Sequence, residues 1–247
     1  MKIGGQIISS LEFPGIMSLV IFAAGCTLRC PYCHNPELID GGDDIPLDEI
    51  FITIQESIEF IDGVTITGGE ALTQPDDVLK VLKYCRKLDL KTKLDTNGSY
   101  PKRLKRSIKF LDYVALDVKA PFDKYKDIIG SDIGDSVNES MKICHKTPHI
   151  FLECRTTYVP FLMNADDIMR IAQKITCDAY TLQQFRNRVV LDEKLLDTPN
   201  PPRSELIEIA NQILPVLGKV KIKTAEFGDE TLNIFNTSNH DKRNFSH

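Results

Sequence analysis

The chain has no apolar run long enough to cross a bilayer. The longest, around Met17–Gly25, falls far short of the roughly 20 residues a spanning helix needs and reads as a buried strand. It also lacks basic excess: 30 Lys and Arg stand against 35 Asp and Glu, a net charge of −5 that argues against a general nucleic-acid binder. One compact basic run, Lys102-Arg103-Leu104-Lys105-Arg106, reads as the solvated face of a helix. No linker, low-complexity tract or clear repeat divides the 247 residues. Residues 1–235 are therefore expected to form one domain, with polar, aperiodic Asn236–His247 as a disordered tail. No signal peptide is expected. With an odd total of seven cysteines, this points away from disulfides and toward a reducing, oxygen-poor cytoplasm.

Three of those cysteines sit in the run Gly25-Cys26-Thr27-Leu28-Arg29-Cys30-Pro31-Tyr32-Cys33-His34-Asn35-Pro36, and no fourth lies nearby. Three thiolates suit a cubic iron–sulfur cluster in which one iron keeps an open position for a small molecule. A closed electron-transfer cluster recruits four cysteines, and structural zinc favours two pairs. Zinc held by Cys26, Cys30, Cys33 and His34 remains a second reading, although adjacent ligands fit one tetrahedron poorly. A plain structural loop is the third. The Gly-, Arg- and Pro-containing context argues against thiols that merely fill a core. Cys85, Cys144, Cys154 and Cys177 are scattered without ligand spacing and read as core residues.

Apolar, β-branched runs alternate with helical patterns along the chain. Strands are expected at 19–23, 64–67, 92–96, 113–118, 151–159, 179–183 and 220–223. Helices are expected at 47–60, 76–88, 101–111, 136–145, 165–175 and 204–217. That alternation predicts an α/β fold: a partial (β/α)6-type, TIM-like barrel of parallel strands with helices outside. In such barrels the C-terminal strand ends converge on one mouth. Here those ends read Thr67-Gly68-Gly69-Glu70, Asp95-Thr96-Asn97, Asp117-Val118-Lys119, Arg155-Thr156-Thr157 and Gln183-Gln184-Phe185-Arg186. The cysteine loop follows the first strand and opens at the same mouth.

Gly68-Gly69 would let backbone approach a ligand while Glu70 accepts from an ammonium; equally, the pair would make a tight turn with Glu70 as a first-turn helix charge. Asp95 and Asp117 are suited to accept from ribose hydroxyls. Lys119 would pair with a carboxylate or neutralise Asp117. Arg155 lies in an apolar run where an unpaired charge is costly, so it needs a partner or faces the mouth.

Together these segments resemble the radical S-adenosylmethionine (SAM) superfamily across most of the chain. Cys26-x3-Cys30-x2-Cys33, with Tyr32 before the third cysteine, is similar to its cluster motif, and Gly68-Gly69-Glu70 to its GGE segment. Within the superfamily the chain resembles activating enzymes of glycyl-radical proteins. Pro14-Gly15, the Cys-Pro-Tyr-Cys-His-Asn run, Asp95-Thr96-Asn97-Gly98 and Leu116-Asp117-Val118-Lys119 carry that likeness, and activases of anaerobic ribonucleoside-triphosphate reductases are its nearest form. There are departures: Met17-Ser18 stands where such activases often have Arg, Ala71 follows the GGE segment, and Arg186 falls where pyruvate formate-lyase activases carry His.

The resemblance implies one 4Fe–4S cluster on Cys26, Cys30 and Cys33, with SAM on the fourth iron. It implies that Gly69 and Glu70 hold the ammonium, that Asp117, Lys119 and Arg155 position the carboxylate and ribose, and that Gly68, Asp95 and Asn97 belong to the same cofactor-binding set. Tyr32, His34 and Arg186 would stand near the adenosine. It further implies reductive cleavage of SAM, hydrogen abstraction from a glycine of a partner protein, and a ferredoxin or flavodoxin as electron donor. A radical SAM enzyme acting on a small molecule or a tRNA base is the competing expectation.

Overall fold

Short aliphatic and β-branched runs become strands and the amphipathic stretches between them become helices, in a computed structural model that describes residues 1–233. The expected tail at Asn236–His247 lies outside the described residues. Chain order is β1 (Lys2–Ser9), β2 (Ser18–Ala23), α1 (Glu37–Asp40), β3 (Asp43–Asp44), α2 (Leu47–Ser57), β4 (Gly63–Gly68) and α3 (Pro75–Lys87). It continues with β5 (Lys91–Thr96), α4 (Pro101–Ser107), β6 (Tyr113–Asp117), α5 (Tyr125–Ile129), α6 (Gly134–His145) and β7 (Phe151–Tyr158). Last come α7 (Ala165–Ala172), β8 (Ala179–Gln184), α8 (Arg203–Leu217), β9 (Lys219–Thr224) and β10 (Gly228–Asn233).

Seven strands pair in parallel in the order β2-β4-β5-β6-β7-β8-β9. β1 flanks β2 and β10 flanks β9, both antiparallel, and β3 pairs beyond β1. Among the described residues the two ends of the sheet do not meet, so the barrel stays open along one side. This is the expected partial barrel. Neither antiparallel flank was expected from the sequence: β1 carries Gly4-Gly5 and a register shift, and β10 is polar.

Local chemistry sets the helix limits. Pro75 starts α3, with Asp76 and Asp77 in its first turn and Arg86 and Lys87 in its last, matching the helix dipole. Asn164 and Asp167 form a reciprocal capping box on α7. α8 buries Leu206, Ile209, Ala210, Ile213 and Leu214, a spacing that puts them on one face, and stops at Gly218 with φ 71°. The helices cover the sheet's outer face, where Ile66, Leu94, Val114, Leu116, Leu152, Leu182 and Ile222 join one buried apolar cluster.

Candidate active site

The cysteine loop leaves β2 at Ala23 and is clamped on two sides. Toward α1, Gly25 N–H donates to the Leu38 carbonyl at 2.7 Å, Cys26 N–H to the Ile39 carbonyl at 3.0 Å, and Arg29 to Asp40 at 2.7 Å. Toward the segment after β8, the Pro31 carbonyl accepts from Leu191 and Asp192, and His34 Nδ1 lies 3.2 Å from the Val189 carbonyl. A turn bond from Cys33 N–H to the Cys30 carbonyl shapes the loop itself. Cys26 Sγ accepts from Leu28 N–H at 3.4 Å and from Asn97 Nδ2 at 3.8 Å. Burial raises the Cys26 thiol and pushes Cys30 up to about 11.

The β4 turn packs directly onto this loop. Gly69 N–H donates to Ala23 O and Glu70 N–H to Gly25 O at 2.7 Å. A Cβ at Gly68, whose φ is 115°, would meet Ala23 O at 2.2 Å, and one at Gly69 would meet Gly25 O at 2.5 Å. The two glycines are therefore required by the approach of one backbone to another, whatever else they do. Glu70 is fully buried and turned inward. Its carboxylate accepts from Leu72 N–H, Asn97 N–H and the Thr96 hydroxyl, capping the short 3-10 turn at Ala71–Thr73 and tying β4 to β5. Burial pushes it up to about 7 against those donors.

Opposite the thiols, charges from three adjacent strands form a chain. Lys93 pairs with Asp95; Asp95 with Arg155 at 3.1 Å; Arg155 with Asp117 at 2.9 Å; Asp117 with Lys119 at 3.0 Å. Burial opposes both acids, yet Arg155 and the lysines outweigh it. Asp95 is held below the ordinary carboxylate range and Asp117 falls to about 2. Burial likewise opposes the charge on Lys119, but the Asp117 carboxylate keeps it protonated. The Lys119 carbonyl lies 3.4 Å from the Tyr32 hydroxyl, linking the charged wall to the cysteine loop.

Between thiols and charges lies a cavity of about 270 Å³. The structure brings to it Cys26, Cys30, Cys33, Tyr32, His34, Gly68, Gly69, Asn97, Asp117, Lys119 and Arg155. Three residues expected at the site do not line it. The Glu70 carboxylate, expected to take an ammonium, is spent on backbone and Thr96. Asp95, expected to take ribose, sits beneath the wall on Lys93 and Arg155. Arg186 is exposed and lines a neighbouring cavity instead. Thr67, Thr157 and Gln183, which stood among the converging strand ends without a role of their own, also line the cavity, as do Leu28, Asn35 and Ile39. For Thr157 the signal was present: it lies two residues beyond Arg155, on the same strand face.

All three thiols line one cavity, an amide donor reaches Cys26, and Asp117, Lys119 and Arg155 line the same cavity, so the residues present fit an iron–sulfur cluster with three protein ligands and one open position. Among the described residues no three His, Cys, Asp or Glu groups converge to hold a single metal ion. The sequence pattern of the Radical SAM superfamily matches residues 20–175. The chain belongs to that superfamily.

As a radical SAM protein it has relatives along nearly its whole length. A Methanocaldococcus jannaschii protein named "Putative glycyl-radical enzyme activating enzyme MJ1227" is 36% identical over 226 residues, 88% of this chain and 93% of that one. The pyruvate formate-lyase 1-activating enzyme of Escherichia coli K12 is 26% identical over 230 residues, 85% of this chain and 92% of that one. In fold, a solved structure of TYW1 with a lysine–pyruvate adduct superposes with a TM-score of 0.63 at 14% identity, covering 91% of this chain and 83% of that one. Radical SAM membership implies a 4Fe–4S cluster and SAM. Homology to the activating enzymes of glycyl-radical proteins is established at the level of the group.

Proposed function

We propose that this chain is a glycyl-radical enzyme activase whose target is an anaerobic ribonucleoside-triphosphate reductase. The observation carrying the reading is the near full-length likeness to activating enzymes, on a chain whose three motif cysteines line one cavity. Cys26, Cys30 and Cys33 would hold the single cluster. A cluster held there and reduced by a ferredoxin or flavodoxin would supply the one-electron chemistry for reductive cleavage of SAM and, through it, hydrogen abstraction from a glycine Cα of the target.

The chain's own residues bind, orient and exclude water. Lys119, kept charged by Asp117, faces the cavity as the cation for SAM's carboxylate. Asp117, ionised through Arg155, offers an acceptor to ribose. The Gly68-Gly69 turn presents backbone to the ammonium, while buried Glu70 fixes that turn rather than touching the ligand. Tyr32 and His34, anchored on Lys119 O and Val189 O, stand beside the adenosine and close the cavity against water. We further propose that residues 1–235 act as one domain and that the protein works in the cytoplasm; no helix among the described residues is long and apolar enough to cross a membrane.

The test is an anaerobic electron paramagnetic resonance spectrum of the reconstituted, reduced protein mixed with SAM and the same organism's anaerobic ribonucleotide reductase, with 5′-deoxyadenosine quantified in the same tube. A glycyl-radical doublet is expected. Deoxyadenosine without a doublet would reject this target and favour a small molecule or a tRNA base. Cys30→Ala should abolish both iron–sulfur absorbance and deoxyadenosine; retained cleavage would overturn the cluster assignment.

A further inference from the structure

A second cavity, of about 370 Å³, opens beside the first and shares His34, Thr157 and Gln183 with it. Its own wall carries Arg186, Arg188 and Lys223 and no carboxylate. On a chain of net charge −5 this is a local inversion. Neighbouring cations are matched: Arg155 has Asp117, Arg203 has Glu230, and Lys221 faces Glu153. Arg186, Arg188 and Lys223 make no ion pair among the described residues.

The placement is a product of the fold. Both arginines follow the C-terminal end of β8, and Lys223 lies at the matching end of β9, opposite Gln183 in the parallel register. The loop holding the arginines is pinned. Asn187, between them, donates from its backbone to Asn200 Oδ1 at 2.9 Å and from its side chain to the Leu196 and Thr198 carbonyls at 3.0 Å. The backbone carrying the arginines is thus fixed before any ligand arrives, which lowers part of the ordering cost of binding an anion.

We propose that this basic cavity receives a carboxylate of the partner polypeptide, an Asp or Glu within a few residues of the glycine presented to the first cavity. The inference rests on the activase reading and adds a recognition element to it. Because the cavities share a wall, one extended segment, advancing about 3.3 Å per residue, can occupy both. Carboxylate is the anionic group an unmodified polypeptide offers, and planar guanidinium groups match it in geometry.

The experiment uses the full chain and two short synthetic glycine-centred peptides that differ only in flanking Glu or Gln, read by fluorescence anisotropy. The Glu peptide should bind about tenfold more tightly, with the advantage shrinking as salt rises. Arg188→Gln with Lys223→Gln should erase that advantage and raise the target's apparent KM in glycyl-radical formation. Partner-free SAM cleavage should stay unchanged, because neither Arg188 nor Lys223 lines the first cavity. Equal binding of the two peptides, persistence of the preference in the double variant, or displacement of the Glu peptide by inorganic phosphate or an RNA oligonucleotide at lower concentration would overturn the inference. Failure of the activase reading is separable: it removes the doublet and leaves peptide discrimination in place.

Discussion

The two faces of the central sheet are built by opposite rules. Outward, alternate residues such as Ile66, Leu94, Leu116 and Leu152 are fully buried aliphatics under the helices. Inward, β4, β5, β7 and β8 place Thr65, Thr67, Lys93, Asp95, Glu153, Arg155, Thr181 and Gln183, and β6 adds Asp117, while Val20, Phe22, Tyr113 and Ala115 are the apolar and aromatic positions of that face. Closed parallel barrels fill that interior with branched aliphatics. Here it is filled by charges that pair with one another, Lys93 being only 1% exposed, while the floor is closed by Phe13 against Tyr113 and by Tyr113 stacked 4.9 Å from Phe151. The outer face supplies the burial that holds the fold; the inner face gives up part of that gain to hold fixed charges beneath the cavity.

That division can be broken from either side. Arg155→Leu strips a shared cation from Asp95 and Asp117, so it should cost about 3 kcal/mol in urea unfolding and also remove SAM binding by the remaining folded protein. Leu94→Ala, on the same strand as Asp95 but facing out, should cost about 2–3 kcal/mol and leave SAM affinity of the folded fraction within about twofold. If Leu94→Ala lost SAM affinity as well, the two faces would not be separable. Lys93→Met tests how deep the functional part of the charge chain reaches. Asp95 keeps Arg155, so the expected loss is about 1.5–2 kcal/mol, with SAM affinity retained, as measured by equilibrium binding on the apo and loaded protein.

The outer face was readable from sequence because alternation and helical spacing are local. The cysteine loop was readable because three ligands at short spacing have few other uses. Arg155 was half readable: a charge in an apolar run demanded a partner, but that it would take two, from β5 and β6, depends on strand order. Glu70 was read two ways, as an acceptor for an ammonium and as a first-turn charge on a tight turn. The local half of that second reading is visible, since Leu72 N–H is two residues away, but the Thr96 and Asn97 donors reach the carboxylate only when β4 and β5 lie side by side. β1 was hidden by its glycines and β10 by its polarity; both pair antiparallel at the flanks, where apolar alternation is not enforced. The basic cavity joins the loop after β8 to β9, residues more than thirty apart in sequence, and no local pattern announces it.

A further expected effect concerns Glu70 and pH. Its folded value, about 7, stands above the ordinary 4.5, so the protonated form is favoured by folding. The stabilisation is complete below pH 4.5 and is lost as pH rises through about 7. Asp117 has the opposite sign: held at about 2 against an ordinary 3.8, it contributes stability above pH 3.8 that disappears as pH falls through about 2. The two windows do not overlap. Thermal melts of the apo protein between pH 4.5 and 7 should therefore show a downward slope that Glu70→Gln flattens, while the loss below pH 4 survives the substitution. A wild-type slope no steeper than that of Glu70→Gln would mean that the two backbone donors and Thr96 outweigh burial and hold the carboxylate ionised. Glu70 would then belong with Asp117 among the carboxylates that this fold keeps charged.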